Sequence, residues 1–304
     1  MTATAVPRRA AHRSYREELA ASTQRTLARR RIISRVMIGL TYLAAVLATL
    51  PLILILYYLI RVGASSVNWS FFTKIPAPVG EQGGMANAIV GTGILVLIAS
   101  AIGLPVGIGA GLYLAEQRGT KLANVVRFLS DVLNGLPSIV LGIFAWQVLV
   151  RPVKHFSALA GGVALAAMMI PLVTRATEEM IRLVPVSMRE AALALGYPKW
   201  RTSLSVVLRT ALPGIVTGAL VAVARIAGET APLLFTAFGN SFWSFSPAQP
   251  IAALPMQIYT YAISPYDEWH AQAWAGALVL LTLVLVISLA ARFATRSRFG
   301  LGGD

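Results

Sequence analysis

The residue types that this chain lacks already exclude several functions. It contains no cysteine, so disulfide bonds and thiolate metal sites are excluded. Its three histidines, His12, His155 and His270, are too scattered to predict a zinc or haem centre. Charged residues make up only 12% of the chain, about half of their share in soluble domains. Apolar residues make up 57%, against about 45–50% in a soluble domain. The composition therefore predicts a membrane protein with no resident metal or cofactor.

Motifs for catalysis are also absent. The sequence has no G-x-x-x-x-G-K-[ST] phosphate loop, so we expect that the chain does not hydrolyse nucleotide itself. Neither H-E-x-x-H nor G-x-S-x-G occurs, which argues against an intramembrane hydrolase. We expect a non-catalytic protein.

Six apolar stretches are long enough to cross a hydrocarbon layer, which takes about 20 residues of helix. The sequence thus predicts an all-α membrane protein with six transmembrane helices. Six prolines within these stretches are expected to kink the helices (Pro51, Pro105, Pro137, Pro171, Pro213 and Pro232). The predicted spans are Val36–Ile60, Met85–Ala115, Val125–Val150, Ser157–Thr174, Ala211–Phe238 and Ala271–Ala291.

The distribution of basic residues predicts the orientation. With the N-terminus inside, 21 of the 26 Lys and Arg residues fall in cytoplasmic segments. This bias follows the positive-inside rule and places both termini in the cytoplasm. It also accounts for the net charge of +14 without any nucleic-acid partner. We expect a multi-pass protein of the cell (plasma or inner) membrane.

The same distribution suggests three regions. Residues 1–35 form an Arg-rich cytoplasmic tail, and the stretch that follows is too long for a cleavable signal peptide. Residues 36–60 are predicted as a first transmembrane helix that is an uncleaved anchor. Residues 85–293 are predicted as a five-helix core with a cytoplasmic loop at 176–209. Within this core, Gly103, Gly107 and Gly111 share one helix face and predict close helix packing, with a substrate-lining role as the alternative.

The fifth predicted span contains two charges at membrane depth. Arg225 and Glu229 are four residues apart and therefore lie on the same helix face. Ionisable residues cost several kcal/mol within a membrane and usually face a bundle interior or an aqueous path. One interpretation is a self-neutralising pair that holds the helices together. The other is a pathway for an anion, with Arg225 as a bidentate contact, Glu229 as its restraint and Thr230 as a hydroxyl contact.

A short helix is predicted in the polar loop between the fourth and fifth spans. Ser187 and Glu190 have the spacing of a capping box. Gly196 suits the left-handed position that ends a helix, and Pro198 prevents its continuation. A well-delimited helix in a cytoplasmic loop indicates a docking element.

This loop resembles the EAA signature of binding-protein-dependent ABC importer permeases. The matching residues are Glu190, Ala191, Ala192 and Gly196. In that family the short helix inserts into a cleft of the ATPase subunit and transmits its closure to the membrane helices. The chain departs from the usual pattern after the glycine, because Leu208 is followed by Arg209 where the family has proline.

A second resemblance is more specific. The segment Ala224–Ala237 is similar to the fifth-helix signature of the phosphate-specific permeases of the A type (PstA). The segments Gln249–Pro255 and Ser264-Pro265-Tyr266, together with Glu268-Trp269, are similar as well. The likeness extends over about residues 36–293 and implies a type I ABC importer permease fold.

The resemblance implies an ATP-driven importer of inorganic phosphate in which this chain forms half of the translocation pathway. The implied partners are a homologous second permease subunit, ATPase subunits and an extracytoplasmic phosphate-binding protein. The chain itself is expected to contact membrane lipid. Three alternatives stay open. One is a permease for another oxyanion such as sulfate, molybdate or phosphonate. The second is a stand-alone secondary transporter or channel, although no paired repeat is apparent, and the third is a membrane scaffold with no transport role.

Overall fold

The computed structural model describes residues 8–299, with side chains for residues 29–290 and 293. Within this range all regular structure is helical apart from one isolated bridge between Phe238 and Ile251. Two π-helical turns, Trp146–Val150 and Thr202–Val207, continue α5 and precede α9. The helices are α1 (Arg8–Ser66), α2 (Trp69–Thr73), α3 (Ala86–Glu116), α4 (Lys121–Gly135), α5 (Ser138–Ala145), α6 (Ala158–Arg182), α7 (Val186–Ala194), α8 (Lys199–Arg201), α9 (Leu208–Ala227), α10 (Ala231–Thr236), α11 (Leu254–Ala262) and α12 (Asp267–Phe299).

The helices confirm the predicted all-α membrane architecture. Among the described residues, five helical stretches are long and apolar enough to cross a membrane, and a sixth span forms if the bent pair α4–α5 counts as one. The five are Arg29–Ser66, Ala86–Glu116, Ala158–Arg182, Lys199–Ala227 and Asp267–Ala290.

The chain divides into two units, residues 1–58 and residues 59–304. In the first unit, the apolar side chains of α1 from Ile32 onwards are largely exposed, as is typical of a helix that faces lipid. The predicted boundary at residue 35 lies inside α1, because this helix begins at Arg8 and is continuous to Ser66. The part of the predicted tail at residues 1–7 lies outside the described residues. The division into a tail and a membrane helix stays a prediction.

The structure corrects the predicted spans at three places. The span Val125–Val150 is not one straight helix, since α4 and α5 meet at Leu136-Pro137 with a bend of 107°. The span Ala211–Phe238 ends at Ala227 and is followed by the separate short helix α10. The fourth span is longer than Ser157–Thr174 and continues to Arg182. The second correction moves Glu229 and Thr230 out of the helix and into a turn.

The core of the second unit is the close packing of α3 on α6, which run in the same direction. Gly103, Gly107 and Gly111 are buried and leave no room for a side chain. A Cβ on Gly107 would lie 2.7 Å from Val173 Cβ, and one on Gly111 would lie 2.5 Å from Thr177 Cβ. The glycines therefore allow the two helix backbones to approach, as the packing interpretation predicted.

The first turn of α6 is completed by residues far along the chain. Ser157 N–H donates to Thr236 O at 3.0 Å, Ala158 N–H to Gln249 O at 2.9 Å and Leu159 N–H to Pro247 O at 2.8 Å. At the same end of the core, Leu254 N–H donates to Thr92 Oγ1 at 2.7 Å. These bonds satisfy backbone groups that a helix start leaves without partners. They fix α10, α11 and the loop between them against α3 and α6.

Candidate translocation and coupling sites

The first candidate site is the turn between α9 and α10. Helix α9 ends at Ala227, where Gly228 N–H donates to Arg225 O and Glu229 N–H to Ile226 O, both at 3.2 Å. The carbonyl of Thr230 then accepts from the first amides of α10, at 3.1 Å from Leu233 and 3.2 Å from Leu234. Pro232 stands in the first turn of α10, where its missing N–H costs nothing. The turn thus separates two helices where one was predicted.

The side chains of Arg225 and Glu229 lie close together at this turn. Arg225 Nε is 3.7 Å from Glu229 Oε1, with 54% of the Arg225 side chain and 18% of the Glu229 side chain exposed. The neighbouring α9 residues Ala222 and Ile226 are buried in the core. Within the described part of the chain, the guanidinium makes no hydrogen bond. Its planar fork therefore points away from this chain's own core and is available to an anion.

Thr230 lies beside the same turn but faces another environment. With Gly228 it lines a mostly apolar groove of about 390 Å³ between the end of α9 and helices α11 and α12. The structure thus brings the side chains of Arg225 and Glu229 together. Thr230 follows them directly in sequence but lines the separate groove.

The second candidate site is α7, which is the short helix predicted at 187–196. Gly196 has a φ of +82°, which a side chain disfavours. Tyr197 N–H donates to Ala192 O at 3.1 Å and Gly196 N–H to Leu193 O at 2.9 Å. These two bonds form the Schellman motif expected of a glycine-terminated helix.

The predicted capping box at the start of α7 is wrong. The residue before the helix is Pro185, and no side-chain cap is formed. Helix α7 begins at Val186, so Ser187 lies inside the first turn. From there its hydroxyl cannot take the N-cap position that the box requires.

The surface around α7 is apolar and exposed. Glu190, Ala191 and Gly196 are exposed, whereas Ala192 is only 6% exposed and faces the rest of the chain. The large apolar side chains on and beside the helix are uncovered to a degree unusual outside a membrane or an interface. They include Leu183, Val186, Leu193, Leu195, Trp200 and Leu204.

At this end of the core, ion pairs join α7 to α3 and α6 to α4. The sequence did not predict them. Arg189 of α7 binds Glu116, the last residue of α3, with 2.6 Å between Nη1 and Oε1. In α6, Glu178 is only 1% exposed and binds Arg127 of α4 at 2.7 Å. The same carboxylate binds Arg175 at 3.0 Å and also Arg182.

A third feature is a cavity of about 450 Å³ at the opposite end of the core. Its lining is uncharged and combines polar residues (Asn240, Ser241, Gln257 and Thr260) with apolar ones, and Tyr261 and Trp269 also contribute to it. The two rings stack with 4.7 Å between their centroids.

Comparison with known proteins identifies the family to which this architecture belongs. Residues 107–299 match the family described as "Binding-protein-dependent transport system inner membrane component". A protein of Xylella fastidiosa named phosphate transport system permease protein PstA is 48% identical over 276 residues, which cover 90% of this chain and 96% of the relative. The protein of that name from Yersinia pestis is 46% identical over 273 residues, which cover 89% of this chain and 92% of the relative. A Mycobacterium tuberculosis protein named phosphate transport system permease protein PstA 1 is 37% identical over 280 residues, which cover 89% of this chain and 92% of the relative.

Among solved structures, an inward-facing conformation of the MetNI methionine ABC transporter shares the fold. The match has a TM-score of 0.57 at 20% sequence identity and covers 70% of this chain and 96% of the other. The fold, the matched residues and the relatives agree. This chain is a multi-pass membrane protein that belongs to the binding-protein-dependent transport system inner membrane components, the permease subunits of ABC importers.

Proposed function

We propose that this chain is the permease subunit of an ATP-driven importer of inorganic phosphate and that Arg225 is a contact for the anion on its path. The observation that carries the proposal is the uncovered guanidinium at the break between α9 and α10. The relatives named as phosphate transport permeases support the substrate, since they match nearly the whole chain.

The exposure of Arg225 indicates where the path runs. Because the guanidinium faces away from its own subunit, the pathway lies between this chain and a second, homologous permease. A buried structural ion pair would favour shorter contacts and complete burial. Here the 3.7 Å separation between Arg225 Nε and Glu229 Oε1 leaves both Nη groups to a phosphate. Glu229 restrains the arginine and competes with the anion, so that binding stays weak enough for release, and Thr230 offers a hydroxyl beside it.

The second role, coupling to ATP hydrolysis, belongs to α7. Glu190, Ala191, Ala192 and Gly196 form the docking element for an ATPase subunit, and the exposed apolar surface around Leu195 and Trp200 is buried in that interface. This end of the core faces the cytoplasm. The permease itself has no catalytic role, and the hydrolysis takes place on the ATPase. The uncharged cavity at the other end then faces outward, towards the phosphate-binding protein.

The test is transport by the complete importer reconstituted in proteoliposomes. Arg225→Gln should abolish uptake of labelled phosphate while the complex still assembles and hydrolyses ATP. Arg225→Lys should restore little, because an ammonium lacks the bidentate fork. Arg209→Gln is the matched control, since it removes an exposed arginine from the other end of the same helix.

Three results would contradict the proposal. Phosphate uptake by Arg225→Gln at the wild-type rate would remove the arginine from the path. Loss of the assembled complex in this variant would favour the alternative in which the pair holds the helices together. Competition by sulfate, molybdate or phosphonate at the same concentration as phosphate would point to another oxyanion as the substrate.

A further inference from the structure

Helix α4 packs on the core through small side chains. Its buried residues are the small Ala123 and Ser130, and the Ser130 hydroxyl donates to the carbonyl of Val126 in its own helix. Its large apolar side chains point away from the core and are exposed (Leu122, Val125, Phe128, Leu129 and Val132). Apolar packing therefore contributes little to the attachment of α4 to α6.

Charged groups attach α4 instead. Arg127 donates from Nη2 to Glu178 Oε1 at 2.7 Å and from Nε to the same atom at 3.2 Å. One turn further along α4, Asp131 accepts from Arg175 Nε at 2.9 Å. Arg175 also donates to Glu178 Oε2 at 3.0 Å within α6, and this pair links the two contacts between the helices. Such contacts are directional and short-ranged, and a relative shift of the helices breaks them without opening a cavity.

This charge cluster lies between the proposed docking helix and the bent helix pair. Glu178 is four residues from the end of α6, and α7 follows after a turn of three residues. On the other side, α4 leads through the 107° bend into α5. Helix α5 in turn touches α10, since a Cβ on Gly142 would lie 2.8 Å from Pro232 Cα. Helix α10 begins directly after the turn that holds Glu229.

On the side of α6 that faces α3, the glycine contact holds the two helices together rigidly. Helices α3 and α6 interlock along Gly103, Gly107 and Gly111, and Arg189 ties α7 to the end of α3. Helices α3 and α6 are therefore one body, to which α7 is linked by its ion pair, and the bent pair α4–α5 is a second body joined to the first by the charge cluster at this end. Two bodies joined by a breakable contact are what a two-state coupling element requires.

We propose, as an inference that rests on the proposed function, that Glu178 is a positioning residue. Its ion pairs with Arg127 and Arg175 hold α4 against α6, and movement of α7 breaks and reforms these ion pairs. The state of the cluster sets the position of α5 and α10, and thereby links ATP hydrolysis on the partner subunit to the path at Arg225. Glu178 does not touch the transported anion.

The decisive variant is Arg127→Gln in the complete importer, reconstituted with ATP and inorganic phosphate. It keeps Glu178 paired with Arg175 and Arg182, so the buried carboxylate stays neutralised and the chain folds. The amount of phosphate moved per ATP hydrolysed should fall about fivefold or more, the usual lower size of a coupling between sites. ATPase association and the hydrolysis rate should stay near wild type. Arg118→Gln is the control, because Arg118 donates to the carbonyl of Ala115 in the preceding turn rather than to the cluster.

A second pair of variants separates coupling from general damage. Glu178→Gln should show the same loss of coupling, and Glu179→Gln, which removes an exposed acid one residue along, should not. The double variant Arg127→Gln/Glu178→Gln should be no worse than Glu178→Gln alone, because both remove the same contact. Wild-type coupling in Arg127→Gln, or independent effects of the two substitutions, would overturn the proposal. If Glu178→Gln does not assemble, Arg127→Gln alone decides.

The movement itself is measurable without phosphate. Because the chain has no cysteine, spin labels can be attached at Val132→Cys on α4 and Glu179→Cys on α6. The label-to-label distance should change when ATP binds, and this response should be lost in Arg127→Gln. An unchanged distance in the wild type would refute the proposed role of the cluster. A wild-type importer that shows this response but moves no phosphate would refute the proposed substrate and leave the role of the cluster intact.

Discussion

A single methyl group placed on Gly111 tests the rigid contact between α3 and α6. In Gly111→Ala the new Cβ would lie 2.5 Å from Thr177 Cβ and 2.6 Å from Thr174 O. Carbon atoms in contact prefer about 3.5–4.0 Å, so the helices must separate by about 1 Å. The carbonyl of Thr174 belongs to the helix backbone and cannot rotate aside. The separation also loosens the contacts at Gly103 and Gly107, and a gap of about 0.5–1 Å already forfeits a quarter to a half of each contact energy.

We therefore expect Gly111→Ala to cost about 3 kcal/mol, the upper part of the range for overpacked cores. The apparent Tm should fall by about 6–12 °C, at about 2–4 °C per kcal/mol for domains of roughly 150–250 residues. The six tryptophans allow the unfolding of the detergent-purified protein to be followed by fluorescence.

The same helix provides the matched control. Gly109 is exposed, and a Cβ added to it would meet no atom within 4 Å, so Gly109→Ala should be neutral or stabilise by about 0.5–1 kcal/mol through helix propensity. Equal Tm values for the two variants would show that α3 and α6 are not held together along the glycine stripe.

Three further predictions concern single contacts. Gly196→Ala should strain the end of α7 by about 1 kcal/mol and weaken co-purification of the ATPase. Glu190→Lys should uncouple or detach the ATPase without changing the Tm. Normal ATPase association and normal transport in both variants would reject the docking role. Thr92→Val should lower stability by about 1–3 kcal/mol because the buried Leu254 amide loses its acceptor, and Thr92→Ser should not. Gly142→Leu should push α5 off α10 and reduce transport, in contrast to Gly135→Leu, whose Cβ meets no neighbouring atom.

The features that were predictable from the sequence depend on local pattern. Long apolar runs predict membrane helices because the length of a span follows from the thickness of the hydrocarbon layer. Glycine every fourth residue predicts a packing face, and Gly196 before Tyr197-Pro198 predicts a helix end. Each of these signals lies within one segment, and the structure has all of them.

The features that were missed depend on where helices stop and on partners far away in sequence. Pro137 and Pro232 were expected to kink continuous helices, yet they stand at the starts of α5 and α10. A proline is compatible with both outcomes, and only the packing of these short helices on each other decides. The spacing of Arg175, Glu178 and Arg182 was visible in the sequence, but Arg127 is 51 residues from Glu178, and nothing local connects them.

The bonds at the start of α6 have a consequence for biogenesis. The acceptors for its first amides are the carbonyls of Thr236, Pro247 and Gln249, which leave the ribosome long after Ser157. Until then these amides have no partner within the chain. The fourth membrane helix is therefore inserted in an unfinished form and matures only when the segment up to Gln249 has been translated, so that nascent chains arrested before residue 236 should remain protease-sensitive near Ser157.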